Sequence, residues 1–352
     1  MAIVVGALAP RFVCPTTSNP RYTSAAFGGR YVLLAFLPTD MEGRRAALGL
    51  ISAHRALFDD VKLSAYGVLR DETAISMARD QAGLRWFLDR DGAVSRLFEA
   101  LTPQGEARPR WVLLDPAECV LATAEIDKAE DLFALIAALP APQDHAGVPL
   151  HAPVLIAPRI FDRDLCRRLI AYYEADGGSP SGVMREIDGK TVGVLDNYKK
   201  RRDTMITDQG LAQETREALS TRLLPQIRKA FQFRVSHIER YMVACYDAQD
   251  GGYFRPHRDD TTRGTAHRRF ACSINLNAED FEGGDLTFAE FGPKTYRPPT
   301  GGAVVFSCSL LHEATPVTQG KRYAFLPFFY DAAAAAIREA NLGAFDSAEA
   351  EA

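Results

Sequence analysis

Two histidines and an aspartate in the second half of the chain have types and spacings that suit metal chemistry. His257 and Asp259 stand two positions apart at the end of a predicted strand, so in an extended backbone their side chains point to the same face. His312 follows about fifty residues later, at the end of another apolar strand. Two imidazoles and one carboxylate on one side of an ion hold Fe(II) and leave its other positions open for a chelating co-substrate and O2.

Arg322 stands ten positions after His312, at the start of the next predicted strand. Its guanidinium offers a planar fork for a carboxylate, which the distal end of 2-oxoglutarate would require. Taken singly, the four residues have ordinary interpretations: an exposed histidine, a turn aspartate, a core histidine and a surface arginine. Their combination within one β-rich region favours a metal site.

The composition is typical of a soluble globular protein, with 47% apolar and 24% charged residues. A length of 352 residues predicts two domains. The net charge of -4 gives no strong attraction to nucleic acid or to an anionic membrane, so neither is expected as a partner.

Apolar runs are shorter than the roughly 20 residues that a membrane-spanning helix needs. The opening MAIVVGALAPRF has no basic start and predicts a first strand rather than a signal peptide. Six scattered cysteines without a CxxC pair indicate reduced thiols and a cytoplasmic location.

A Pro- and Ala-rich stretch, residues 141–153, predicts a linker between two domains. Strand and helix patterns alternate before it, which predicts an α/β sandwich with a mixed sheet in residues 1–140. Residues 154–335 begin with helices, and from Ser236 onward they continue as short strands at 236–246, 269–277, 285–291, 302–308 and 322–330. This order predicts a β-sandwich or barrel with supporting helices outside it. A helix and an acidic tail are expected in residues 336–352.

Several motifs of the second domain carry a family resemblance: MVACY, GGYFRPHRDD, CSINLN, FEGGDL, LLHEATPV and KRYAFLPFFYD. In this order they make residues 236–331 similar to the 2-oxoglutarate- and Fe(II)-dependent dioxygenases of the prolyl 4-hydroxylase type. The resemblance implies a double-stranded β-helix, or jelly roll. It implies His257, Asp259 and His312 as iron ligands, Arg322 as the partner of the distal carboxylate, and Tyr246 facing the co-substrate.

One position departs from that family: Asn275 stands where its nearest members have a tyrosine that contacts 2-oxoglutarate. A shorter amide can still donate a hydrogen bond, so we expect Asn275 in the co-substrate pocket. Arg268, Arg255 and Arg258 are candidates for the substrate entrance, with Arg263 beside them on a positive rim. Phe288, Phe306 and Phe325 are candidates for a dry wall, and equally for ordinary core.

The first domain resembles thioredoxin-like proteins of the peroxiredoxin type through GALAPRF, GRYVLLAFLPTD and WVLLDPAECVLA. Such enzymes need a reactive cysteine a few residues after the position of FLPTD, where the helix start lowers the thiol pKa. This chain has no cysteine between Cys14 and Cys119. We therefore expect a redox-inactive module for substrate docking or dimerisation, and a homodimer is left open.

The resemblance implies hydroxylation of a C–H bond with Fe(II), 2-oxoglutarate and O2, release of succinate and CO2, and ascorbate as an optional reductant. The substrate could be a prolyl residue of a protein or peptide, or a small molecule. Alternatives are a hydrolase or isomerase that uses the same three ligands for zinc, and a non-catalytic redox- or metal-sensing protein. The loops at about 180–205 and 258–268, which would select the substrate, are not interpretable from the sequence.

Overall fold

The computed structural model describes residues 3–344, and the expected acidic tail from residue 345 onward lies outside the described residues. The chain forms two compact units. The first unit comprises residues 1–152 and 289–293, and the second comprises 153–288 and 294–352. Within the described residues, no helix combines the length and the apolar character that crossing a bilayer requires.

The strands of the first unit are β1 Val13–Cys14, β2 Tyr22–Thr23, β3 Tyr31–Phe36, β4 Leu63–Leu69, β5 Leu84–Leu88, β6 Arg110–Leu114 and β7 Val120–Glu125. Five of them form a mixed sheet in the order β5-β4-β3-β6-β7. Strands β3, β4 and β5 run parallel to one another, whereas β6 pairs antiparallel with β3 and β7 pairs antiparallel with β6. The helices of this unit are α1 Met41–Ala53, α2 Glu72–Met77, α3 Ala93–Leu97 and α4 Glu130–Ala138.

Apolar clusters cover both faces of this sheet, which explains why β3 and β4 read as continuous apolar runs and are buried at every position. The predicted alternation of strands and helices is observed. The predicted strand in MAIVVGALAPRF is wrong, because the first paired strand is only Val13–Cys14. The preceding residues reach the start of β7 only through an isolated bridge from Leu8 to Cys119, and the side chains of Val4, Val5 and Leu8 are exposed, so these apolar residues do not belong to a core strand.

The second unit combines helices with two antiparallel sheets. Its helices are α5 Arg163–Asp176, α6 Gln209–Ala218, α7 Leu224–Phe231 and α8 Ala332–Ala340, with a π-helical turn between α6 and α7. Its strands are β8 Leu155–Ala157, β9 Ser179–Pro180, β10 Val183–Ile187, β11 Lys190–Val194, β12 Lys199–Lys200, β13 Arg202–Met205, β14 His237–Glu239, β15 Met242–Asp247, β16 Tyr253–His257, β17 Phe270–Asn275, β18 Phe281–Gly283, β19 Leu286–Thr287, β20 Thr295–Tyr296, β21 Ala303–Ser307, β22 His312–Ala314, β23 Val317–Phe325 and β24 Phe328–Tyr330.

The larger sheet follows the order β14-β24-β17-β23-β15-β13-β9, and β21 pairs with β17 and β8. The smaller sheet follows the order β12-β16-β22-β19-β20. Strands β10 and β11 form a separate two-stranded hairpin. It lies within residues 180–205, a loop region whose structure the sequence patterns do not predict. The helices pack on the larger sheet through an apolar core that includes Leu165, Leu169, Ile227 and Phe325.

Three predicted strands are broken in the structure. Residues 236–246 divide into β14 and β15 because Arg240 adopts a left-handed backbone with φ of 68°. Residues 322–330 divide at Leu326 and Pro327, where proline cannot donate to a ladder. Residues 285–291 form only the short β19 before a 3-10 turn.

Candidate metal centre

The structure brings His257, Asp259 and His312 together in the second unit. His257 ends β16 and faces His312 at the start of β22, its direct partner in the antiparallel ladder. Asp259 follows in the turn after β16, where its backbone N–H donates to Cys308 O at 2.9 Å. One ligand atom from each residue lies within 4.8 Å of the others, a separation that one ion can bridge.

Backbone carbonyl groups orient both imidazoles toward the shared point. His257 Nδ1 lies 2.8 Å from Arg255 O, and His312 Nδ1 lies 3.0 Å from Leu310 O. Each Nδ1 therefore carries the proton, which leaves each Nε2 lone pair free for a metal. The two Nε2 atoms lie 3.5 and 3.4 Å from the two carboxylate oxygens of Asp259.

Electrostatics keep His312 and Asp259 in the protonation states that metal binding needs. Burial lowers the pKa of His312 to about 4, reinforced by the nearby His257, so this imidazole stays neutral at physiological pH. Burial would raise the pKa of Asp259, but His312 and His257 outweigh it and hold that pKa well below its usual range. The set thus offers two imidazole nitrogens and one carboxylate. This donor set fits a divalent ion such as Fe(II).

Arg322 lies in the wall of the same cavity as the three candidate ligands. It is 2% exposed, and its side chain is fixed by hydrogen bonds from Nε to Asn275 Oδ1 at 3.2 Å and from Nη2 to Ser273 Oγ at 2.8 Å. Its buried Nη1 has no hydrogen-bond partner in the described part of the chain. A buried N–H donor without an acceptor destabilises the fold unless a ligand accepts its hydrogen bond. The geometry therefore fits the carboxylate of a bound acid.

Tyr246 and Asn275 take different places around Arg322. Tyr246 is the cross-strand partner of Arg322, and its ring lines the cavity 5.1 Å from the guanidinium carbon. Asn275 does not line the cavity, because its Oδ1 accepts from Arg322 and its Nδ2 donates to Pro298 O at 3.0 Å. Asn275 therefore lies behind Arg322 and positions it, rather than reaching the expected co-substrate position directly.

The arginines expected at a positive entrance lie elsewhere. Arg268 is buried and forms an ion pair with Glu239 at 2.6 Å, and Arg258 is buried and donates to Ser309 O. Arg255 and Arg263 are exposed, but neither lines the cavity. A run of charged residues around a turn resembles a solvated rim in the sequence, whereas tertiary packing buries two of them.

Three cations that sequence patterns did not single out line the cavity: Lys199, Arg201 and Arg240. Lys199 and Arg201 lie at β12 and just before β13, where alternate residues of KKRRD turn inward while Lys200 and Arg202 are exposed. This period of two is a strand pattern that could have indicated them. Arg240 depends on the left-handed break between β14 and β15, for which the sequence gives no signal.

The three phenylalanines that the sequence offers for a dry wall lie in different parts of the second unit. Phe306 lines the cavity and packs against His312 with ring centroids 4.5 Å apart. Phe288 is buried behind it and contacts Phe306 at 5.0 Å. Phe325 belongs to the apolar core under the helices. Phe254 completes the wall by stacking on His257 at 3.4 Å.

Part of the second unit is similar in sequence to known proteins. Residues 241–330 match the family model described as the 2OG-Fe(II) oxygenase superfamily. A PKHD-type hydroxylase from Pseudomonas fluorescens is 30% identical over 181 residues, which are 49% of this chain and 75% of that relative. The match to PKHD-type hydroxylases of two Synechococcus strains is 31% identical over 93 residues and spans 25% of this chain and 41% of theirs. The chain thus covers less than half the length of those two relatives.

Solved structures give two kinds of neighbour. A Pseudomonas putida prolyl-4-hydroxylase is 20% identical, covers 53% of this chain and 95% of its own, and has a TM-score of 0.39. A 2-Cys peroxiredoxin from Plasmodium vivax is 18% identical, covers 41% of this chain and 99% of its own, and has a TM-score of 0.35.

Proposed function

Because this chain belongs to the 2OG-Fe(II) oxygenase superfamily, alongside PKHD-type hydroxylases, we propose that it hydroxylates a C–H bond with Fe(II), 2-oxoglutarate and O2. The observation that carries the proposal is the single cavity wall that holds His257, Asp259, His312 and Arg322. Three metal ligands without a cation for the co-substrate would equally suit other metal chemistry. The buried, incompletely bonded Arg322 favours a dicarboxylate co-substrate.

In this proposal His257, Asp259 and His312 hold Fe(II), and Arg322 binds the distal carboxylate of 2-oxoglutarate through Nη1. Ser273 and Asn275 fix the other guanidinium nitrogens, so the arginine loses little freedom when the acid binds. The bound iron would supply the activation of O2 and the oxidative decarboxylation of 2-oxoglutarate to succinate and CO2.

The protein's own contribution is orientation and the exclusion of water. Backbone carbonyl groups hold both imidazoles in the tautomer that presents Nε2 to the metal. Phe254, Phe306 and Leu286 form an apolar wall beside the metal ligands, which keeps water away from a reactive centre. The electron-rich ring of Tyr246 lies 5.1 Å from the guanidinium carbon of Arg322 and 5.7 Å from that of Arg201, which is favourable for both cations.

The resemblance of residues 236–331 suggests a prolyl residue of a peptide, or a related small molecule, as the substrate, and a double-stranded β-helix as the fold. The antiparallel pairing of the second unit is consistent with that fold. The first unit then serves substrate docking or dimerisation without redox chemistry, and ascorbate stays a prediction.

Anaerobic titration of the metal-free protein with Fe(II) and then 2-oxoglutarate tests the proposal. We expect the weak visible charge-transfer band of the iron chelate. Arg322→Gln should weaken 2-oxoglutarate binding by about 30-fold or more, because a buried charge partner is lost, while Fe(II) binding is retained. Arg167→Gln, which removes an exposed arginine of the same unit, serves as the matched control and should leave the band unchanged.

A protein that binds Fe(II) but shows no band with 2-oxoglutarate would contradict the proposal. The three ligands would then serve another metal reaction, such as hydrolysis with zinc. Release of succinate from 2-oxoglutarate in air, dependent on Arg322, gives a second and independent readout.

A further inference from the structure

The cavity of the second unit contains more positive charge than the proposed co-substrate can use. Besides Arg322, its walls include Lys199, Arg201 and Arg240. The Arg201 guanidinium is neutralised by Asp203, with Nε and Nη2 each 2.7 Å from a carboxylate oxygen. Asp203 also accepts a hydrogen bond from the Ser181 hydroxyl, so most of the hydrogen-bonding capacity of this carboxylate is already used.

Arg240 has no hydrogen-bond acceptor of its own among the described residues. Its Nη2 lies 3.6 Å from Asp203 Oδ2, beyond hydrogen-bond distance, and within residues 3–344 its guanidinium donates no hydrogen bond. The side chain packs against the Phe328 ring at 5.8 Å. Burial, with the charges of Arg268 and Arg201, lowers the pKa of Arg240 to about 10. Asp203 and Glu239 oppose this shift without cancelling it, so the guanidinium lies in a partly dry position where repulsion from the other arginines outweighs attraction.

The backbone at Arg240 is also unusual. Its φ of 68° is a left-handed conformation that a residue with a Cβ rarely adopts. This residue separates β14 from β15, which would otherwise read as one strand. Strained backbone is retained where the surrounding structure requires it, and functional sites are common places for it.

Lys199 lies in the same wall, and its hydrogen-bond partners in the described part of the chain are neutral. Its Nζ donates to Ser181 Oγ at 2.6 Å and to Gly182 O at 2.9 Å, and it lies 4.9 Å from the centre of the Phe254 ring. Burial and the adjacent Arg201 hold the pKa of this ammonium well below its usual range. Its positive charge would be stabilised by an anion that enters the cavity.

The charges of the inner site cancel once Fe(II) and 2-oxoglutarate are bound. The two charges of the ion and the one on Arg322 balance the two carboxylates of the co-substrate and the one of Asp259. Arg201 and Asp203 balance one another. Asp203 also lies 3.6 Å from Arg240, but one carboxylate cannot balance two arginines, so one positive charge, and any charge on Lys199, is left over inside the cavity.

We propose that Arg240, supported by Lys199, binds a carboxylate of the primary substrate. This inference rests on the proposed function and assigns it a class of acidic substrate. A carboxylate suits the site better than a phosphate, since one guanidinium fork and roughly one unbalanced charge match a planar monoanion. Phe328 beside Arg240 and Phe254 beside Lys199 would contact the apolar part of the same molecule.

Acetate labelled with carbon-13 is a suitable probe of this subsite. The full chain is loaded with Mn(II) and saturating 2-oxoglutarate without O2, and the relaxation rate of the acetate carboxyl carbon is followed during a titration. Paramagnetic Mn(II) accelerates relaxation only for a carbon held near the metal. We expect a saturable acceleration with acetate and none with neutral acetamide.

Variants assign the effect to Arg240. Arg240→Gln should weaken acetate binding by about tenfold or more, because a charge-assisted hydrogen bond is lost. Arg240→Lys should keep part of the affinity, and the exposed Arg167→Gln should match the unaltered protein. The Fe(II)–2-oxoglutarate band of Arg240→Gln should persist, which shows that the variant folds.

The outcomes separate the two proposals. Without an Fe(II)–2-oxoglutarate band, the proposed function itself fails. With the band present, the absence of saturable acceleration, or an equal acetate affinity in Arg240→Gln, overturns the acidic-substrate inference alone. Displacement of acetate by L-proline would assign the carboxylate to a free amino acid, whereas displacement only by N-acetyl-L-prolyl-L-glutamic acid amide would assign it to an acidic residue of a peptide.

Discussion

Asp89 in the first unit and Arg322 in the second are both buried charged side chains, but the chain completes the hydrogen bonds of only one of them. In the first unit, the buried carboxylate of Asp89 accepts hydrogen bonds from Val94 N at 2.9 Å, Ser95 N at 2.8 Å and Ser95 Oγ at 2.6 Å. In the second unit, Arg322 keeps a buried nitrogen for which the described residues offer no acceptor. A buried group that the chain satisfies contributes to the fold, whereas one that it leaves unsatisfied is stabilised when a ligand binds.

The contrast extends to the positions where each unit could do redox chemistry. The start of α1 is capped by Asp40, whose carboxylate accepts from Gly43 N at 2.7 Å, and no thiol is present there. Burial, with the charge of Asp89, raises the pKa of Cys14 to about 12, so its thiol stays protonated. The second unit instead holds a neutral imidazole and an ionised carboxylate side by side.

The largest expected effect comes from Asp259→Asn, which removes the anionic member of the metal set. We expect Fe(II) affinity to fall by more than about 100-fold, since even loss of a partner outside the ligand set costs 10- to 100-fold. Equilibrium dialysis followed by metal analysis measures this, and the 2-oxoglutarate band should disappear with the metal.

Asp250→Asn is the matched control, because Asp250 is an exposed aspartate of the same unit that lies outside the cavity. It should bind Fe(II) like the unaltered protein. If Asp259→Asn bound Fe(II) as tightly as the unaltered protein, the two histidines and Asp259 would be a structural hydrogen-bonded cluster rather than a metal site. The second unit would then not differ from the first in this respect.

The sequence predicts the elements of both units well where patterns are strong. The buried strands β3 and β4 and the hairpin β6–β7 follow from long apolar runs, and the cap of α5 follows from Asp162. His257 and His312 are close because they are partners in an antiparallel ladder. Their spacing in the sequence does not show this pairing by itself. It points to it only because histidine and aspartate are residue types that bind metals. Types and spacing therefore carry more information here than the character of any single residue.

The remaining features depend on contacts between distant segments. Arg268 and Arg258 resemble surface charges, but Glu239 and Ser309 O, both remote in the chain, supply their partners inside the fold. Arg240 reaches the cavity only because its backbone departs from a strand that residue types alone predict as continuous. Burial of a charge is decided by such distant partners, which local patterns do not contain.

A smaller effect is expected from the aromatic core of the first unit. Phe87 is fully buried, and its ring lies 5.1 Å from both Phe12 and Tyr66. Phe87→Ala should lower the free energy of unfolding of this unit by about 3–5 kcal/mol, because it leaves a cavity. Denaturant unfolding followed by tryptophan fluorescence measures the loss, since both tryptophans, Trp86 and Trp111, belong to this unit.

The Fe(II)–2-oxoglutarate band in Phe87→Ala should be unchanged without denaturant, because every residue that lines the cavity belongs to the second unit. Leu97→Ala, at a position that is 41% exposed, is the control and should change stability little. Loss of the band in Phe87→Ala would show that the site depends on the folding of the first unit. The second unit could then not be treated as an independent site.

The smallest expected change concerns Cys14, where we predict almost no reaction. With a pKa of about 12, its thiolate fraction at pH 8 is about a thousandfold below that of an ordinary cysteine. Alkylation by iodoacetamide, mapped by peptide mass spectrometry, should be correspondingly slow and should accelerate as the pH rises toward 12. Met41→Cys, which places a thiol at the exposed start of α1, should react much faster. Rapid labelling of Cys14 itself would instead give the first unit a reactive thiol and a redox role of its own.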